Sequence, residues 1–366
     1  MVSMVFKLSK LFSSASDTVT VGKSGVVGVD IGSSSVKVVE LEQREDVIAL
    51  KTYGELQLGP YGGLELGQVT SLDKKRKTEA LVDVFRESGI KATKGVIALP
   101  LSSSFVTIIN INADIKKEPD IGPRVRVEAR KYIPVPISDV SLDWFELPPL
   151  GDLPENTREV LVAAIQNDVF SETMDIISAV NNQQQPSEIE LFSSMRSTIK
   201  STDTSLAILD LGADTSKLYI VQDGMPRKIY RNPVGGSQVT QNIADALNVK
   251  YEEAENLKRN YYEQMPEAQA VKKAFVETYE RPLQEFRKVL LEYEARQNKP
   301  VGRVVVTGGG AAFLDTAPYV AYMFDVEVER AKPFSKIAYP AFMEDVLFDI
   351  GPTFSVAVGS ALRHFE

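Results

Sequence analysis

Val26-Val27-Gly28-Val29-Asp30-Ile31-Gly32-Ser33-Ser34-Ser35-Val36-Lys37 is the stretch on which the reading of this chain turns. Val and Ile dominate both arms, which predicts two strands with a buried face, the second running on through Leu41. The turn between them is small and rich in hydroxyls. Small residues let backbone N–H groups approach a phosphate, and serine hydroxyls add hydrogen bonds. Asp30 ends the first strand, where its carboxylate suits a hydrated Mg²⁺ that keeps most of its waters. Lys37 lies on the returning strand, within reach of the same phosphates.

A lone hairpin of this kind is most often only a hairpin. A second copy changes its weight. Leu209-Asp210-Leu211-Gly212-Ala213-Asp214-Thr215-Ser216-Lys217 repeats the pattern, pairing Asp210 with Asp30, Gly212 with Gly32 and Lys217 with Lys37 at a constant offset of 180. An internal repeat of this length sets the fold before any other feature.

Composition removes several classes of function. The 366 residues are enough for two ordinary domains, and the charge and apolar fractions are those of a globular chain. With 41 basic and 50 acidic residues the net charge is −9, which argues against a general nucleic-acid binder. There is no cysteine, so disulfides, thiolate metal sites and a cysteine nucleophile are excluded. The single histidine, His364, stands near the last residue and leaves no material for a Ser-His-Asp triad or a two-histidine metal site. No stretch reaches the roughly 18 consecutive apolar residues of a membrane span. The first residues lack the apolar core and cleavage site of a signal peptide, and a cytoplasmic protein is expected.

Along the chain, Met4, Val5, Leu8, Leu11 and Phe12 share one helical face beside Lys7 and Lys10. That short basic helix could lie on an anionic membrane or dock on its own domain, with a linker to follow. Residues 47–53 read as a third strand, 54–67 as a loop, and 95–100 as a buried strand. Lys74-Lys75-Arg76-Lys77 opens a helix whose apolar face is Leu81, Val82 and Phe85, and Gly89 fits its C-terminal cap. Residues 101–166 form an inserted unit: strand 105–111, helix 120–133, and strands 142–147 and 158–166 around a proline-rich loop. Trp144 within it reads as packing. Helices at 169–180 and 192–199 flank a strand at 186–190 and lead into the second repeat, with strands 206–210, 217–222 and 227–230 and an Asp223-Gly224 turn.

Gly235-Gly236-Ser237 opens a helix over 238–247, with Ser237 as its N-cap and free N–H groups that favour an anion. Glu255 and Lys258 stand three apart on a helix over 252–262. A helix over 269–297 is broken or kinked at Pro282. The strand 302–306 runs into Thr307-Gly308-Gly309-Gly310-Ala311, where three glycines allow close approach by a flat ring or a phosphate. A strand over 324–328, a proline-containing linker and a helix over 353–362 close the chain.

Two Asp-x-Gly hairpins, a Gly-Gly-Ser helix start, a Glu-x-x-Lys helix and a strand ending in three glycines, in this order, resemble the actin/Hsp70 ATPase superfamily. Within it the chain is most similar to the FtsA-like branch and, closer still, to the PilM family of type IV pilus assembly. That likeness is carried by residues 28–41, by Glu128-Ala129-Arg130-Lys131-Tyr132-Ile133-Pro134-Val135-Pro136, by Gly235-Gly236-Ser237, and by residues 307–311. The resemblance implies an α/β, actin-like fold. Two ribonuclease-H-like halves, 25–204 and 205–366, surround a nucleotide cleft, with an N-terminal segment at 1–24. It also implies a small FtsA-like α+β insert at about 101–166 and a helical subdomain at about 250–298.

The same resemblance implies ATP and Mg²⁺ as ligands, and docking of the cytoplasmic N-terminal tail of the membrane protein PilN beside the insert, which would link the motor side of the pilus machine to its membrane ring. Carried over residue by residue, Asp30 and Asp210 face the metal and its waters. Gly32, Ser33, Ser34, Lys37, Gly212 and Thr215 contact phosphates. Glu255 and Lys258 hold the ribose or base edge, and Gly236, Gly308, Gly309 and Gly310 line the adenosine. Lys217 matches Lys37 only through the repeat and is left out of the site. Hydrolysis needs a polar group to orient water. Glu190 is the one candidate, and Leu191 competes for its position, so slow hydrolysis or none is expected. The rival readings are an FtsA-like filament-forming scaffold and a sugar or acetate kinase of the same superfamily, for which no catalytic aspartate motif is evident.

Overall fold

β1 (Val26–Ile31), β2 (Ser35–Arg44) and β3 (Val47–Gln57) form an antiparallel meander, and β1 then pairs in parallel with β4 (Lys94–Leu99). The resulting sheet has the order β3-β2-β1-β4-β8, where β8 is Gln183–Gln184, and β9 (Glu188–Ile189) also pairs with β4. A second sheet repeats the scheme. β10 (Ser205–Leu211), β11 (Ser216–Gln222) and β12 (Met225–Asn232) form the meander, and β13 (Val304–Thr307) and β14 (Val328–Arg330) extend it in the order β12-β11-β10-β13-β14. The sequence repeat is thus a repeat of topology. The structure is a computed structural model and describes residues 25–112, 120–150, 156–180, 183–184 and 187–366. The amphipathic stretch expected at 4–12 lies outside the described residues.

Each sheet is covered on both faces, which is why its central strands are apolar throughout. In the first sheet, Val27, Val29, Val36 and Val38 pack on α1 (Lys74–Glu87) and α3 (Asn167–Ser178). Asp73 caps α1, accepting from Arg76 N at 2.9 Å, and leaves the basic run at its start facing solvent. In the second sheet, Leu209, Leu211, Leu218 and Ile220 pack on α5 (Gly236–Leu247), α6 (Tyr251–Arg259) and the long α7 (Ala268–Gln297), which runs through Pro282 without interruption.

Residues 104–166 build a third sheet of order β5-β7-β6, from β5 (Ser104–Asn112), β6 (Val140–Glu146) and β7 (Thr157–Gln166), with α2 (Gly122–Ala129) on one face. Both faces of β7 are buried. Val160, Val162 and Ala164 meet α2, while Leu161, Ala163 and Ile165 meet α4 (Glu190–Thr198) and the second sheet. Arg227 of β12 fixes this contact, pairing with Glu159 at 3.3 Å and donating to Pro148 O at 2.8 Å.

The end of the chain returns to its beginning. α10 (Ser355–Leu362) is buried along its whole length against β1, β4 and α4. The apolar run Ala341–Phe365 is long enough to pass for a membrane span by composition, and here it supplies core. Small residues permit the approach: a Cβ on Gly28 would lie 2.0 Å from Ala357 O, and one on Gly359 would lie 1.9 Å from Ser193 O. A buried ionic network locks the same junction. Glu188 is fully buried and pairs with Arg196, its Oε2 3.0 Å from Nη2, and with Arg363 at 3.3 Å, while Ser193 Oγ donates to it at 2.6 Å.

The expected break at Pro282 is absent, since α7 is one helix through it, and other expectations change as well. Strand β3 continues to Gln57 through Gly54, a glycine that the sequence reads as a loop; a Cβ there would meet Ser88 Oγ at 1.7 Å. Residues 316–324 are a helix, α8 (Thr316–Phe324), closed by Asp325 in the left-handed region, and the strand follows only at β14. The linker beyond it holds a further short helix, α9 (Glu344–Ile350). Because the core admits no Cβ at Gly28, Gly28→Ala is expected to lower stability by about 3 kcal/mol in denaturant unfolding. An unchanged midpoint would contradict the close packing of β1 on α10.

Candidate nucleotide site

The two hairpins are built alike. In the first, Asp30 and Lys37 are cross-strand partners and Gly32 N donates to Ser35 O at 3.0 Å. In the second, Asp210 and Lys217 are partners and Gly212 N donates to Thr215 O at 3.0 Å. Each turn therefore places a carboxylate at a strand end with an ammonium beside it. The carbonyls of Ser33 and Ser34 accept from Thr70 N at 3.0 Å and Leu58 N at 2.8 Å, which fixes the first turn. Lys37 Nζ donates to Ser35 Oγ at 2.8 Å and lies 3.9 Å from Glu55.

Lys217 belongs with these residues, although its sequence gave no reason beyond the repeat to include it. Its ammonium is buried, 2.9 Å from Glu190 Oε1 and 3.2 Å from Asp210 Oδ2. Burial works against its charge, but Asp210 and Glu190 outweigh burial and hold its pKa well above the ordinary lysine value. Glu190 Oε1 also accepts from Leu101 N at 2.7 Å, so the carboxylate at the start of α4 is engaged twice. Burial pushes the Asp30 carboxyl up to about 6; Lys37 and Lys217 draw it down, and Glu190 and Asp210 add to the rise. Three carboxylates and two ammonium groups thus share one electrostatic neighbourhood.

The second half supplies the other wall. Gly236 N and Ser237 N donate to Gly212 O and Ala213 O, both at 2.9 Å, so the helix start is pinned to the second turn. Gly235, not Ser237, is the N-cap of α5, and these first N–H groups are already paired. The expected anion site at the helix start is corrected accordingly. Glu255 and Lys258 form an ion pair at 2.6 Å; Lys258 Nζ also donates to Gly236 O at 3.1 Å and Thr240 Oγ1 at 2.7 Å. Burial raises the Glu255 carboxyl, but Lys258, Thr240 and Arg259 outweigh it and hold it below the usual range.

Gly308 has φ +82°, and a Cβ there would lie 2.5 Å from Asp210 Oδ1. Gly310 packs on Leu211, and Gly309 alone faces open space. The glycine run lets the chain leaving β13 pack closely on Asp210 and Leu211 at the end of its neighbour β10, and then leaves one open backbone face. Tyr279 is a residue that the sequence did not single out. Its hydroxyl is buried without a well-formed hydrogen bond, 3.3 Å from the Cβ position of Gly310 and 4.0 Å from that of Gly236.

The arrangement fits a metal-bound nucleotide. An open glycine, Gly309, stands at one end, and carboxylates face lysines at the other. Among the described residues no three acidic or histidine side chains cluster as a metal cage. A Mg²⁺ would therefore be held by phosphates and water with Asp30 and Asp210 around it, as that ion prefers.

Fold and site together define an actin-like protein. MreB5 of Spiroplasma citri has the same fold, at TM-score 0.51 and 11% identity over 93% of this chain and 96% of that one. The family description "type IV pilus assembly protein PilM" matches residues 28–365, and the chain belongs to that family. A solved "PilM-PilN type IV pilus biogenesis complex" is similar at TM-score 0.77 and 25% identity, over 94% of this chain and 100% of that one. Cell division protein FtsA of Enterococcus faecalis is 24% identical over 85% of this chain and 79% of its own length.

The site carries two stability signatures of opposite sign. Asp30 has a folded pKa above its unfolded value, so its contribution is greatest below about pH 4 and is lost as pH rises through about 6. Asp30→Asn is expected to stabilise the ligand-free protein at pH 7.5 by about 1–3 kcal/mol, with the gain shrinking towards pH 4.5. Lys217→Met strands two buried carboxylates and is expected to cost about 3 kcal/mol at pH 7.5, and less at pH 4.5. Urea unfolding of both variants at the two pH values checks the signs; equal shifts at both would contradict the charge cluster.

Proposed function

We propose that this protein is the cytoplasmic ATP-binding component of type IV pilus assembly, holding ATP with Mg²⁺ between the two hairpins and docking the cytoplasmic tail of PilN beside the three-stranded sheet. The observation that carries the pilus role is the family match together with the likeness to the PilM–PilN complex over almost the whole of both chains. In this reading Asp30 and Asp210 face the metal and its waters. Gly32, Ser33, Ser34, Lys37, Gly212 and Thr215 bound the phosphates. Gly236, Glu255, Lys258, Gly308, Gly309 and Gly310 bound the adenosine. Lys217 and Tyr279 join them, the first as counter-charge to Asp210, the second as a buried hydroxyl beside Gly310.

ATP here is a structural or switching ligand. Glu190 would be the residue to orient water, but its Oε1 already accepts from Lys217 and from Leu101 N. With Oε1 held in that way, the carboxylate is fixed in place by the protein and has only Oε2 left to orient a water, which supports slow hydrolysis or none. The same two contacts tie the phosphate end to Leu101, the root of the three-stranded sheet. Nucleotide occupancy and the posture of the docking unit would then be linked through Glu190. On that unit, Val127 and Tyr132 are 62% and 52% exposed on and just after α2, large apolar groups that a peptide can cover. A protein held at the membrane through PilN would link the motor side to the inner-membrane ring.

Two titrations on the full chain check the proposal. Mg·ATP is expected to bind wild type and to lose at least tenfold in affinity with Asp30→Ala, the loss of a charged partner. A fluorescent peptide of the PilN tail is expected to bind wild type and to be weakened at least tenfold by Val127→Asp with Tyr132→Asp. A wild type that binds neither ligand would contradict the reading.

A further inference from the structure

Residues 58–72, between β3 and α1, form a strap across the cleft. Both ends are seated in the core of the first half through Leu58 and Leu72, and both lie at the first phosphate hairpin, where Leu58 N donates to Ser34 O and Thr70 N to Ser33 O. The middle is held by its own bonds, Leu64 N to Gly59 O at 2.9 Å and Glu65 N to Gln68 Oε1 at 2.9 Å. The tip crosses to the other half. Glu65 Oε2 accepts from Glu252 N, the first turn of α6, at 2.6 Å, and Gly67 O accepts from Tyr251 Oη at 3.4 Å. Gly67 has φ +80°, and a Cβ there would lie 2.6 Å from Glu255 Cδ. The strap therefore begins and ends on the phosphate hairpin and presses its tip on the residue assigned to the ribose.

The attachment at the tip is slight. Leu64 and Leu66 are 43% and 40% exposed, and a cavity of about 290 Å³ lies between the strap and α5–α6, lined by Leu64, Gln68 and Val69 on one side and Gln238, Gln241 and Tyr251 on the other. Firm ends, a self-bonded middle and a tip that packs Gly67 on Glu255 but makes its polar attachment through one charged hydrogen bond and one long one describe an element that opens locally without unfolding its domain. Glu65 accepts from the N-terminus of α6, which favours a carboxylate, in a first turn that also carries Glu252 and Glu253.

We propose that residues 58–72 are the exchange gate of the nucleotide cleft, with the bond from Glu252 N to Glu65 as its latch. This rests on the nucleotide reading. With the latch made, the strap spans from the phosphate turn to the ribose helix, and a nucleotide beneath it leaves only when the tip lifts. Opening of the latch sets residence time, and occupancy of the cleft steadies the latch in return.

The chain has no cysteine, which makes a lock simple to install. Full-length protein is loaded with fluorescently labelled Mg·ATP and chased with excess unlabelled ATP. Glu65→Ala and Gly67→Ala are expected to release the label about tenfold faster than wild type, and Glu65→Gln, which keeps an acceptor, within about threefold. Glu65→Cys with Glu252→Cys, bridged by a short bis-maleimide, is expected to trap the label when bridged after loading and to exclude it when bridged before. Hydrogen exchange of the Glu252 amide reads the latch without nucleotide and is expected to quicken in Glu65→Ala. Unchanged exchange at Glu252, wild-type release from both alanine variants, or free passage in the bridged protein overturns the gate. A wild type that takes up no label removes the nucleotide reading and the gate with it; uptake with release indifferent to the strap removes the gate alone.

Discussion

The ammonium of Lys217, buried between Asp210 and Glu190, is the interaction on which the functional architecture depends. Through Asp210 it holds the end of β10, where the second hairpin turns. Through Glu190 it holds the first residue of α4, the helix that carries the chain from one sheet to the other. Leu101 N completes the arrangement by donating into the same carboxylate, so the root of the three-stranded sheet shares that anchor. Buried charges of this kind add little net stability when complete and cost several kcal/mol when one partner is lost. Their value here is in placement: the second hairpin turn, the crossover helix and the inserted sheet are held in one register by a single cation.

Around this centre the fold is a duplicated meander closed by its own end. The two sheets share one strand order, and their hairpins share one turn geometry. The copies have then diverged in their ion pairs. Lys37 turns to Ser35 and Glu55, while Lys217 turns inward to Asp210 and Glu190. On the first hairpin, burial pushes the Asp30 carboxyl up to about 6. Helix α10, packed over Gly28, joins residues 355–362 to the first strand, so the two large sheets are tied to each other at two places, α4 and α10.

Most of this was legible in the sequence because it rests on local pattern. The paired hairpins, the inserted strands, the Asp223-Gly224 turn and the long amphipathic α7 announce themselves by period and by turn residues. What was not legible depends on contacts distant in sequence. Lys217 looks like a copy of Lys37 until Glu190 is placed beside it. Ser237 has the chemistry of an N-cap, but the carbonyls of the second turn arrive first and Gly235 takes that position. Gly54 reads as a loop until Ser88 fills the space a side chain would need. Tyr279 sits in an apolar stripe with Phe275 and Leu283, and only the fold reveals that its hydroxyl ends beside Gly310. The strap at 58–72 reads as featureless because its partners lie almost two hundred residues away.

The central claim is that two hairpins, far apart in the chain, act as one phosphate clamp. A double-mutant cycle on Mg·ATP affinity, with Asp30→Asn, Asp210→Asn and their combination, tests it most directly. If both carboxylates serve one metal-bound phosphate group, the double variant is expected to lose much less than the two single losses combined. Strictly additive losses, or no loss from either single change, would contradict a shared site.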